Sequence, residues 1–361
     1  MKCVKILLLL CFFLAVFAFP VQSESEDTID RIYSALPEDA QEIFDREGFS
    51  SNSGQWAQAL DTAGFFSLVL SFFKEGASAP LSALSKTLSV MLLAALMSSY
   101  SSDGKTGEVV ESVCCVSACL ILALPIYEII AAAKELLSSA SIFMSASVPV
   151  FAAVKAASGK ALSVTGGSAV LLVACQALSY LCAYLFVPFM NSYLALGICS
   201  SFGGKNAASG IMNSIKKISM WVLSVCVTVF LFILGAKGIA GKSADTLAMK
   251  TAKFVLGSTV PVVGAALSES ASSVAASLSA MSGTVGIYII LGIFVIMLPL
   301  LCSLVCWRLA LILLKYLSVL FSVPAVMSLA EALESVVALL LGFCLLALAL
   351  LIISSGVLIS L

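Results

Sequence analysis

From Val285 to Trp307 the chain runs for 23 residues without an acid or a base, and from Val336 to Ile353 it does so for another 18. Crossing the hydrocarbon core of a bilayer takes roughly 20 apolar residues of α-helix. Backbone polar groups in lipid have no water to bond, so such segments must pair their own N–H and C=O groups, and a helix does this. Further apolar runs lie at Glu108–Ala132, Gly166–Met190 and Ile218–Gly235, with a weaker one at Lys86–Tyr100. They predict an all-α fold: a polytopic helical membrane protein with about six spans, five to eight being compatible with the pattern. Composition agrees, with 61% hydrophobic residues, 11% charged and a mean hydropathy of +1.13, outside the range of soluble domains. Leu309–Val323 is apolar but short and carries Lys315 and Tyr316, which suggests an interfacial or half-span element. Gln55–Phe73 is apolar and amphipathic, and suits the membrane surface.

The chain opens with Lys2 and Lys5, an apolar core from Ile6 to Phe19, Pro20, and small or tolerated residues up to Ser23. This is the three-part form of a secretory signal peptide, with cleavage expected after Ser23. Between Glu24 and Glu47 there are nine acids and two bases, whereas from Gly48 onward there are fifteen bases and eleven acids. The acidic part is thus an appendage to a membrane body. Ile29, Ile32, Tyr33 and Leu36, then Ala40, Ile43 and Phe44, recur at helical spacing, predicting two short amphipathic helices with acidic outer faces. Their apolar stripe suits either a solvated cap or a docking face for a partner. The expected division is a signal peptide at 1–23, an acidic extracytoplasmic or interfacial segment at 24–84, and a transmembrane domain at 85–361.

Loop cations fit this topology only in part. With the chain entering from outside, Lys105, Lys205, Lys216, Lys217 and Arg308 fall in the cytoplasm, as positive charge prefers. The same count leaves Lys134, Lys155, Lys160, Lys237, Lys242, Lys250 and Lys253 outside. Those segments also resemble one another. "SASVPVFAAVKAASG" (145–159) and "GSTVPVVGAALSES" (257–270) share a Pro-Val core. Each is followed by glycines and by a long apolar span ending in Pro188 or Pro299. A weak internal repeat over 141–240 and 253–356 is expected. Paired Pro- and Gly-interrupted segments point to broken or re-entrant helices at a repeat interface; an interfacial turn joining two spans is the plainer alternative. Ionisable residues inside such regions are costly and therefore functional candidates. The candidate structural and pathway residues are Pro149, Pro261, Gly264, Glu269, Lys250, Lys253 and Glu128, although most such charges serve as anchors that reach the headgroups.

Other chemistry is not indicated. The chain has no His, which removes His-based triads and the zinc-protease motif, and "GKNAASG" lacks the P-loop spacing. Most of the twelve Cys lie in apolar runs, where Cys packs as a small hydrophobe. No enzyme activity, cofactor or metal is expected, and no basic tract suggests nucleic acid.

The stretch Ser243–Leu301 carries Asp245, Lys250, Lys253, the Pro-Val-Val-Gly of Pro261–Gly264, Gly286 and Pro299 in that order. It resembles the most distinctive region of the stage III sporulation protein AE family. The signal-like start, the acidic segment and "ASVPVFAAVKAASG" fit the same family. The resemblance implies a multi-pass component of the secretion-like channel complex joining mother cell and forespore, in the mother-cell membrane around the forespore. It implies other membrane proteins and ring-forming proteins as partners, alongside the lipid bilayer. No catalytic residues carry over. A stand-alone secondary transporter with a site at the repeat interface, or a non-conducting scaffold for the complex, are the competing expectations.

Overall fold

The computed structural model describes residues 30, 32–46, 62–100, 104–157, 186–202 and 284–360, with isolated positions between 173 and 228. Every regular element among them is helical: α1 (Glu38–Arg46), α2 (Thr62–Tyr100), α3 (Gly104–Ala157), α4 (Val187–Phe202), α5 (Thr284–Leu320) and α6 (Pro324–Ser360). Four helices contain stretches long and apolar enough to cross a membrane: Ser67–Tyr100, Val109–Val150, Tyr288–Leu320 and Pro324–Ser355. They overlap four of the six expected spans, and 166–190 and 218–235 fall largely outside the described residues. The multi-pass helical class is as expected.

Three expectations change in detail. Leu309–Val323 is no separate element, because α5 continues through Trp307 to Leu320. Gln55–Phe73 is not a distinct surface helix either. From Thr62 it is the first part of α2, which continues to Tyr100 and crosses position 84. Ser145–Gly159 is helical as far as Ala157, so Pro149 is not an interruption; it lies on the exposed side of α3, which also holds Pro125. A proline inside a helix costs about 3 kcal/mol. Phe143, Met144 and Val148 are all fully buried beside it, and at roughly 1.5–3 kcal/mol each their burial outweighs that cost. The second Pro-Val segment lies outside the described residues.

Four contacts fix the bundle. A Cβ on Gly76 would stand 3.0 Å from the Ser303 Cα, and the Ser318 hydroxyl meets the Met91 sulfur at 3.9 Å. Both contacts advance together along the chain, so α2 and α5 are parallel neighbours. At the far end Glu111 touches Ala325. A Cβ on Gly292 would lie 2.6 Å from the Phe143 ring, so α3 runs antiparallel to α5. Helices α5 and α6 form an antiparallel hairpin, with α4 packed on α6 and α3; ahead of α4, Phe186 stacks on Phe343 at 3.5 Å.

The turn of that hairpin is tight. Val323 N–H donates to the Ser318 carbonyl at 3.0 Å and Ser322 N–H to that of Val319 at 3.2 Å. Ser322 takes φ 57°. This is a Schellman ending built on serine in the left-handed region, where glycine is usual. Pro324 then opens α6, where its missing N–H costs nothing.

The acidic appendage is a docked cap. Helical residues 30, 32 and 33, the turn that follows them and α1 present Ile32, Leu36, Ala40 and Phe44, all buried. They face Tyr288 and Gly292 of α5 and Phe143 of α3. Asp30, Glu38, Glu42 and Asp45 remain exposed on the outside. The apolar stripe is therefore occupied by the chain itself. Tyr33 donates its hydroxyl to Asp45 at 2.6 Å, and Gln41 ties the turn together by donating to the Leu36 carbonyl at 2.9 Å. Desolvation, then the Asp45 hydrogen bond, pushes the Tyr33 hydroxyl up to about 12.

Candidate functional site

Beyond Trp307, α5 carries Arg308 and Lys315, two helical turns apart and so on one face. Opening α6, Glu331 and Glu334 are three residues apart and again share a face. Because the turn at Phe321–Val323 is short, the hairpin brings these faces together in opposite order. Lys315 Nζ donates to Glu331 Oε1 at 3.0 Å, and Arg308 Nε lies 3.6 Å from Glu334 Oε1. The second pair is an ion pair only, since Arg308 Nε has no hydrogen-bond partner. It is the more enclosed, with side-chain exposures of 14% and 22% against 27% and 57% for Lys315 and Glu331.

Two further polar contacts flank this seam. At the turn end, the Ala325 N–H donates to Glu111 Oε1 at 2.9 Å. A carboxylate from α3 thus supplies the cap that the first turn of α6 lacks in its own sequence, where the macrodipole also favours negative charge. Next to Glu334 on α6, Ser335 shares a hydrogen bond with the buried Tyr193 hydroxyl of α4. Nearby on α4, Asn191 Oδ1 is buried without a partner. Charge and hydrogen-bonding capacity therefore gather where α3, α4, α5 and α6 meet, inside otherwise apolar helices. Such an arrangement can hold helices in register or offer polar groups to a solute. Among the described residues there is no group of three or more His, Cys, Asp or Glu able to hold a metal ion.

The residues expected from sequence are elsewhere. Glu128 is exposed on α3 just past Pro125, and Pro149 is exposed further along the same helix; neither belongs to the seam. Lys250, Lys253, Pro261, Gly264 and Glu269 lie outside the described residues. Conversely, Arg308 had the look of a loop cation and Lys315 of an interfacial one, and Glu111, Glu331 and Glu334 carried no signal individually. The available clue was the pairing of R-x6-K before a serine-proline turn with E-x2-E after it.

The family model of stage III sporulation protein AE matches residues 50–357. The chain belongs to this family. Its seam and Glu111 fall inside the matched region of the family, whereas the docked cap at residues 30–46 precedes it. Stage III sporulation protein AE of Bacillus subtilis (strain 168) is 27% identical over 169 residues, covering 46% of this chain and 42% of that protein. The match thus spans less than half the length of that curated relative. No solved structure matches the chain.

Proposed function

We propose that this stage III sporulation AE family protein is a membrane-embedded component of a channel complex that links mother cell and forespore and is needed for forespore development. Family membership over residues 50–357 is the observation that carries the proposal. In this reading the protein acts by assembly with membrane and ring-forming partners, without catalysis. It sits in the mother-cell membrane around the forespore, and its signal peptide is removed so that the acidic cap faces outward. The exposed carboxylates of the cap then point into the space where ring-forming partners would sit.

The test is deletion of the gene in its sporulating host, followed by purification of the tagged protein from sporulating cells. Arrest of the engulfed forespore, with co-purification of other membrane components, is the expected result. Normal spores from the deletion strain would refute it. Solute movement through liposomes holding the purified protein alone would favour a self-sufficient transporter instead. Arrest without any conduit activity in the isolated complex would favour a scaffold.

A further inference from the structure

Large apolar side chains are exposed along one layer of the bundle. On α3 they run from Val109 through Val113, Val116, Leu120 and Leu124 to Tyr127. On α2 the exposed apolar side chains are Leu81 and then Leu92, Leu93, Leu96, Met97 and Tyr100, with exposed Ser82, Ser85, Lys86 and Ser89 between the two groups. At 1.5 Å per residue these lengths are about 27 and 28 Å, close to the hydrocarbon thickness of a bilayer. Cross-helix register shows that the two stretches coincide. Counting sixteen residues back along α3 from Phe143 and forward along α5 from Gly292 sets Tyr127 level with Arg308. Counting five from Gly76–Ser303 sets Leu81 level with Arg308 as well. Leu309, Leu313, Val319 and Leu320 of α5 are exposed in the same layer.

Charged residues bound this belt on the cap side. Lys74 and Glu75 of α2 and Glu128, Lys134 and Glu135 of α3 are all exposed, and register puts each beyond the level of Arg308. A bilayer centred instead on Tyr288–Trp307 would place Lys74, Glu75, Lys134 and Glu135 in hydrocarbon, at about 2.5–3.5 kcal/mol each. It would also leave the belt in water, far larger than a soluble surface tolerates. The most apolar stretches of α5 and α6 have no need of lipid, with 78% and 83% of their residues already buried, against 22% and 39% for α2 and α3. The belt is the lipid-facing layer.

The Lys315–Glu331 pair lies in the plane of this belt. Lys315 is seven residues, about 10 Å, inside the level of Arg308, and Glu331 is more than half exposed. Lys86, exposed on α2, is five residues inside Leu81, and helical side chains tilt toward the N-terminus, so a lysine stem there can reach back to that edge. Lys315 tilts the same way on the parallel α5, but it lies deeper and is held at 3.0 Å by Glu331, which tilts toward the opposite edge on the antiparallel α6. Ionised side chains at this depth face protein or water, not lipid. Resting on the channel reading above, we propose that the Lys315–Glu331 edge of the α5–α6 hairpin lines a water-filled passage at bilayer depth, along which polar solutes move.

Thiol accessibility in the full-length protein, in membranes of sporulating cells, tests this. Ser328→Cys and Glu331→Cys would sample the edge, and Leu93→Cys and Leu120→Cys the belt, in a background with the native thiols replaced. A charged, water-borne thiol reagent should modify the first two at least tenfold faster than the second two, while a lipid-soluble maleimide reaches all four. Equal rates with the charged reagent, whether all slow or all fast, overturn the proposal. If the thiol-free background does not accumulate, Lys315→Met combined with Glu331→Leu in the otherwise natural chain gives a second readout. Normal membrane levels with loss of forespore development are expected, and retained development overturns the proposal. A deletion that arrests forespores, together with an unreactive edge, removes this inference alone; a deletion without phenotype removes the channel reading.

Discussion

The ring of Phe44 meets that of Tyr288 edge-on, with centroids 5.5 Å apart and planes at 74°. One belongs to the acidic cap and the other to the start of the strongly apolar α5, so this contact pins the cap to the helical bundle. Edge-to-face aromatic pairs contribute about 0.5–1.5 kcal/mol beyond their burial. Phe44→Ala is expected to destabilise the docked cap by about 3–5 kcal/mol. Limited proteolysis near Arg46 should then proceed much faster, with membrane insertion of the remainder unchanged.

Alkaline pH should release the same cap. Tyr33 ionises at about 12 in the folded protein, above the ordinary value of about 10. A raised pKa of this kind contributes stability that is fully present below the unfolded pKa. The contribution is lost as pH rises from about 10 through about 12. Tyr33→Phe should remove this dependence and cost about 1 kcal/mol through the lost bond to Asp45. Proteolysis of the cap as a function of pH, in both proteins, checks the sign.

Gly76 sets how closely α2 and α5 approach. Its missing side chain faces the Ser303 backbone, which cannot yield as a flexible side chain would. Gly76→Leu is expected to destabilise the pair by about 1–3 kcal/mol or more, measurable as a lower unfolding midpoint in detergent. Gly76→Ala should show a smaller shift of the same sign.

Ser322 holds a left-handed backbone that glycine adopts without strain. Ser322→Gly should leave the hairpin intact or raise its stability slightly, whereas Ser322→Val should lower it by about 1–2 kcal/mol. Thermal unfolding of the two variants side by side decides this.

Arg308 and Glu334 are largely enclosed, so removing one leaves the other charge without its partner. Arg308→Leu alone is expected to cost about 3–5 kcal/mol, and Glu334→Leu added to it should recover most of the loss. Accumulation in the membrane, followed by thermal unfolding of the purified variants, measures both effects.

The helical class was legible in the sequence because long apolar runs such as Val285–Trp307, whether they meet lipid or a protein core, must pair their own backbone groups, and a helix does this. The amphipathic stripe of the cap was legible too, since Ile32, Leu36, Ala40 and Phe44 obey helical spacing. What it covers was not, because Tyr288 and Phe143 are remote in the chain. Helix ends were blurred wherever apolar character continued past a charge, as at Arg308, where α5 runs on for twelve more residues. Pro149 misled because a proline's local cost was visible while the burial of Phe143 and Val148 was not. The seam escaped notice for a related reason: Lys315 and Glu331 become partners only once the Ser322 turn folds the hairpin.

The parallel pairing of α2 with α5 also sets a timetable for biogenesis. Met91 and Ser318 are 227 residues apart in sequence, and at a synthesis rate of about 5–20 residues per second the second follows the first by roughly 10–45 s. Through that interval the face of α2 that will hold Ser303 and Ser318 has no native neighbour. The nascent helix must be held, by the insertion machinery or by a provisional partner, until the late helix emerges. Truncation before α5 should therefore yield an orphaned early half, marked for quality control rather than for a working fragment.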